Sequence, residues 1–103
     1  MTGKEIKEII AKELNNNFDI SNAHGVDLKT CLIEPKYDDY IDSFNTDMIK
    51  KLWTVLEETP DRHGYKIIFD PENATFGLGI LTDKDELMFI GYYGTFLETL
   101  EGM

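Results

Sequence analysis

Hydrophobic positions in the first segment recur with helical spacing. Ile6, Ile9, Ile10 and Leu14 fall on one face, and lysines and glutamates fill the positions between them. Thr2 and Glu5 have the spacing of a capping box, which places the start of this helix. Asn15-Asn16-Asn17 ends it, because asparagine favours turns and left-handed backbone. After His24-Gly25 the period changes to two. Val26, Leu28, Thr30 and Leu32 alternate with Asp27, Lys29 and Cys31, and the pattern predicts a strand stopped near Pro35. In the following stretch Tyr37, Ile41 and Phe44 fit a helical face with Asp38, Asp39 and Asp42 opposite, and we expect a short helix or helical loop.

Residues 45–58 admit two readings. Met48, Ile49, Leu52, Trp53, Val55 and Leu56 could line one helix, but Glu57-Glu58 would then sit at its negative end. Trp53, Thr54 and Val55 prefer strands, so our reading is a helical turn over 46–51 and a strand over 52–58, with a single helix as the alternative. Residues 59–64 form a turn, and strands follow at 65–70, 76–81 and 86–93, separated by Asp70-Pro71-Glu72-Asn73 and Thr82-Asp83-Lys84-Asp85. Thr95 and Glu98 repeat the capping-box spacing, so a final short helix buries Phe96, Leu97 and Leu100. These elements predict a single α+β domain over 1–103: an antiparallel meander of about five strands, covered on one face by the N- and C-terminal helices.

Charge changes the picture more than composition does. The net charge is −10 over 103 residues. Two blocks carry the excess: seven acids against two lysines in 19–47, and seven acids against Lys84 in 67–103. An acidic surface of this kind repels nucleic acid and anionic membranes and attracts basic proteins. The single cysteine, Cys31, can make no internal disulfide, and the N-terminal residues lack the apolar stretch of a signal peptide. Together these features suggest a cytoplasmic protein.

No catalytic motif accompanies the acids. The sequence has no G-x-S-x-G, C-x-x-C, H-E-x-x-H or phosphate-loop lysine motif. Of the two histidines, His63 has Asp61, Glu57 and Glu58 near it in sequence and could act as an acid/base or metal ligand; an exposed turn histidine explains both it and His24 more simply. Cys31 reads as a small core residue, and Asp83, Asp85 and Glu86 as a solvated hairpin turn without calcium-loop spacing. We therefore expect no enzyme activity and no cofactor. The most suggestive segment joins Glu34, Asp38, Asp39, Asp42 and Asp47 with Tyr37 and Tyr40. Aromatic anchors among carboxylates suit the capture of a basic protein partner. An amphipathic helix with solvated aspartates is the plainer account of the same residues.

The C-terminal half carries a resemblance. Trp53-Thr-Val-Leu-Glu-Glu58, Gly64-Tyr65-Lys-Ile-Ile-Phe-Asp70, Phe76-Gly77-Leu78 and the tail Ile90-Gly-Tyr-Tyr-Gly-Thr-Phe-Leu-Glu-Thr-Leu-Glu-Gly-Met103 resemble a family of small bacterial α+β domains with no assigned activity. The resemblance covers residues 52–103 and implies a bacterial source, but no site residues. Three functions follow in order of preference. The first is an acidic immunity- or antitoxin-type protein that neutralises a basic toxin. The second is an interaction module, monomeric or homodimeric, that uses a sheet edge or the Tyr92-Tyr93 surface. The last is a small metal-dependent hydrolase built on His63.

Overall fold

A computed structural model describes residues 1–19, 25–59 and 63–103. His24 and Asp61, both named above as candidates, lie outside the described residues, as do the central residues of the 59–64 turn. Helix α1 (Gly3–Glu13) starts at Thr2 with the capping box predicted by its spacing: the Thr2 side chain accepts from the Glu5 amide while Glu5 accepts from the Thr2 amide. Its face of Ile6 and Ile10 is buried, and Asn15 and Asn16 take positive φ values of 52° and 59° directly after it.

The next segment departs from the expected strand. Residues Leu28–Cys31 form a one-turn helix, α2, because the Asp27 carboxylate caps it: one oxygen accepts from the Lys29 amide at 3.1 Å and the other from the Thr30 hydroxyl at 3.1 Å. Val26 and Leu28 are buried all the same, but Thr30 of the same alternation is exposed and Leu32 half-buried, because the helical turn breaks the period of two.

Strand β1 runs from Leu32 to Asp42, through the proline expected to stop a strand and through the segment expected to be helical. Pro35 is tolerated because it falls inside a bulge. Leu32 pairs with Leu56 and Lys36 with Thr54, so β1 has extra residues there and the missing amide costs no ladder bond. Strand β2 (Asn45–Glu57) is continuous over thirteen residues, so neither reading with helix at 46–51 holds. Strands β3 (Tyr65–Asp70), β4 (Thr75–Leu81) and β5 (Leu87–Gly94) follow close to their predicted positions, and helix α3 (Phe96–Gly102) opens on the Thr95/Glu98 capping box.

The expected open meander is overturned. The order β1-β2-β3-β4-β5 is that of a meander, but the sheet closes into a five-stranded barrel. Parallel pairing of Ile41 with Met88 and Asp42 with Phe89 makes the seam, extended by a Ser43 amide bond to the Phe89 carbonyl at 3.0 Å. Closure needs strong coiling, and bulges in β1, β2 and β5 supply it. Gly77 and Gly79 on β4 make room inside. A Cβ on Gly79 would lie 2.7 Å from the Tyr40 ring, and one on Gly77 would strike the Gly91 carbonyl.

The core has two parts, one on each side of the sheet. Outside the barrel, Ile6, Ile10 and Leu14 of α1 and Phe96 and Leu100 of α3 pack with Val55, Leu56, Ile67, Phe69, Phe76 and Leu78. Inside it, Tyr40, Leu52, Ile68 and Phe89 form a second cluster. Lys66 also points inward and is fully buried, 3.6 Å from the Glu57 carboxylate. Glu13 ties the two long helices together: its carboxylate accepts from the Phe96 and Leu97 amides at 3.0 Å each, satisfying the open donors of the first turn of α3.

Candidate functional site

Alternation along β1 sorts the predicted partner-binding residues onto two sides. Asp38, Tyr40 and Asp42 turn toward the barrel interior; Tyr37 and Asp39 turn outward. Tyr40 is fully buried, and its hydroxyl shares a 2.6 Å hydrogen bond with Thr54, whose own hydroxyl donates to Asp38 at 2.8 Å. Asp42 is 9% exposed and accepts from the Phe44 amide, which shapes the tip of the β1–β2 hairpin. Among the described residues no buried side-chain nitrogen or oxygen lacks a hydrogen-bond partner.

On the outer side, Tyr37 packs against Trp53 with ring centroids 5.0 Å apart, and Asp39 faces Lys51 at 3.7 Å. Glu34 pairs with Lys7 of α1 at 2.5 Å, and Asp47 is exposed beside the turn made by Asn45. The seven residues therefore do not form one patch. Sequence spacing alone joined them, because Tyr37, Ile41 and Phe44 match a helical step; in the structure Tyr37 and Ile41 share one side of β1 and Phe44 lies past its end.

Segments from the two acidic blocks of the sequence meet elsewhere, at the seam, where the lining acids come from the second block. A cleft of about 480 Å³ opens between the β1–β2 hairpin and the β4–β5 turn, lined by Ile41, Thr46, Thr82, Asp83, Lys84, Glu86 and Met88. Ile41 and Met88 are half-buried pairing partners, while Asp83 and Glu86 are exposed. The turn is fixed by Thr82, which accepts from the Lys84 and Glu86 amides and donates its own amide to the Glu86 carbonyl. Asp85 adopts a φ of 60° to complete it. Phe44, 80% exposed, stands at the hairpin tip beside the seam. The sequence held the signal for both acidic blocks, but their meeting depends on barrel closure, which an open meander does not provide.

A second polar group lies at the end of β3. Tyr92 donates to Asp70, Asn73 Nδ2 donates to the same carboxylate oxygen at 2.9 Å, and the Glu72 amide donates to the other at 2.9 Å. Burial opposes ionisation of Asp70, but the hydrogen bonds from Tyr92, Asn73 and backbone amides outweigh it and hold the carboxyl below its usual range. The Tyr92 phenol is raised, first by burial and then by its bond to that carboxylate. Lys50 lies 5.8 Å from the centroids of both the Phe89 and Tyr92 rings.

The remaining candidates are dispersed. His63 is exposed, and its carbonyl accepts from the Thr59 hydroxyl. Glu57 is engaged with Lys66 inside the barrel, and Glu58 accepts from the Tyr65 amide at 3.1 Å. Cys31 ends α2, and burial raises its thiol, the reverse of what a nucleophile needs. Among the described residues no group of three His, Cys, Asp or Glu side chains is placed to hold a metal ion. None of the described helices is long and apolar enough to cross a membrane. No family model matches the chain, and no curated protein and no solved structure gives a significant match.

Proposed function

We propose that this chain is a small acidic binding domain that captures a basic protein partner, in the manner of an immunity or antitoxin protein neutralising a basic toxin. One observation carries the reading: Asp83 and Glu86 line a cleft with an apolar floor of Ile41 and Met88, and Phe44 stands exposed at the neighbouring hairpin tip. The floor of Ile41 and Met88 and the Phe44 ring would supply buried contact, and Asp83 and Glu86 would steer the encounter. A basic surface, rather than nucleic acid or an anionic membrane, is the partner such a field favours.

The test is capture of partners from a lysate of the source cells, washed at low and then high salt, with the wild type compared against Asp83→Lys/Glu86→Lys and against Phe44→Ala. The expected result is a stoichiometric basic protein that salt releases, and that the charge-reversed variant fails to retain. Equal retention by all three proteins would remove the cleft from consideration. Retention unaffected by salt would overturn the electrostatic reading.

A further inference from the structure

The free edge of β2 has a pattern of its own, which does not depend on the acidic cleft. Only Trp53–Glu57 of this strand pairs with β3. β3 ends at Asp70 and Pro71 follows, so the ladder stops there. Residues 45–51 therefore have β1 on one side and, among the described residues, no strand on the other. The open side lies away from the β1–β5 seam. A groove of about 390 Å³ runs beside it, with Met48, Ile49, Lys50, Leu52, Asp70 and Glu72 among its lining residues. Ile49 is 58% exposed and Met48 49% exposed, and the charges of Asp47, Lys50 and Lys51 beside them guard this edge against strands of other charge pattern.

We infer that β2 pairs, antiparallel and across a two-fold axis, with β2 of a second copy of this chain, centred on Ile49. In such a pairing, facing residues lie on the same side of the sheet, so the register is limited to centres on a residue. Centred on Ile49, Asp47 faces the partner's Lys51 and Lys51 faces the partner's Asp47, while the two isoleucines meet between these pairs. Centring on Met48 instead sets Asp47 against the partner's Ile49 and loses both charge pairs. Charge therefore selects the first register. Lys51 already faces Asp39 at 3.7 Å, so it would lie between two carboxylates. A basic segment is disfavoured at this edge by Lys50 and Lys51, and an acidic one by Asp47 and Asp70. A strand that carries both signs at this spacing fits, and β2 is such a strand.

The experiment is sedimentation equilibrium across a wide concentration range on the wild type, Asp47→Lys, Lys51→Asp, and an equimolar mixture of the two variants. Each variant alone brings like charges together twice per dimer, and its dissociation constant should rise about tenfold or more. The mixture places opposite charges across both positions and should restore association as a heterodimer. A wild type that stays monomeric throughout, single variants that associate as tightly as the wild type, or a mixture that stays monomeric would each overturn the inference. Amide exchange of residues 46–51 in the wild type is a check that needs no variant. Protection should grow with concentration, and protection independent of concentration would count against the dimer.

Discussion

The β1–β2 ribbon and the β3–β5 sheet with α3 use similar residues in different circumstances. In β3, five consecutive residues from Lys66 to Asp70 are buried, because helices cover one face and the barrel interior receives the other. In the ribbon only the inward positions near the barrel are covered, and Tyr37, Phe44, Met48 and Ile49 are about half exposed or more. One region spends its apolar residues on the fold, and the other leaves them at the surface where a partner or a second copy can reach them. The contrast shows that composition does not decide which apolar residues stay exposed; the reach of the covering helices does.

The sharpest way to break the join between the two regions is the buried pair of Glu57 on β2 and Lys66 on β3. Lys66→Met alone would strand a carboxylate that is 9% exposed, and denaturant unfolding should show a loss of about 3–5 kcal/mol. Replacing both residues with apolar ones of similar size should recover most of it. Gly79→Ala comes next. Its methyl would press on the Tyr40 ring, for a loss of about 1–3 kcal/mol in the same assay.

Legibility in the sequence follows the same division. Capping boxes at Thr2 and Thr95 are local and reciprocal, so spacing alone located α1 and α3. Strands β3, β4 and β5 carry apolar runs between turn residues and were placed within a residue or so. The ribbon inverted the usual signal. Its inward residues include Asp38, Thr54 and Asp42, which are polar because the interior satisfies them, while its outward residues include Tyr37 and Ile49. A period of two with the polarity exchanged looks like a helix when Tyr37, Ile41 and Phe44 are counted instead. Barrel closure was illegible for a different reason. It rests on two parallel residue pairs and several bulges, none of which has a composition of its own.

Smaller effects sharpen the comparison further. Thr95→Ala should cost about 1 kcal/mol by removing a cap in the covered region. Asp70 gives a pH signature. Its carboxyl ionises below its ordinary value of 3.8 in the folded state, so its contribution is present above that value and is lost as the pH falls through the folded one. Stability curves of the wild type and Asp70→Asn should therefore converge as the solution is acidified below about 3.8. Phe44→Ala marks the other extreme: with 80% of the side chain exposed, unfolding should change by no more than about 0.5 kcal/mol while capture of a partner falls.

The carboxylate of Glu13 bears on how the molecule is made. Its two acceptor bonds span 83 and 84 positions of the chain. On the ribosome α1 is made before α3, and the amides that this carboxylate serves are translated 83 and 84 residues after it. The outer layer therefore cannot close in stages along the nascent chain. A nascent chain lacking α3 holds Ile6 and Ile10 without the Phe96 layer that later packs beside them, a state open to chaperones and proteases until α3 arrives.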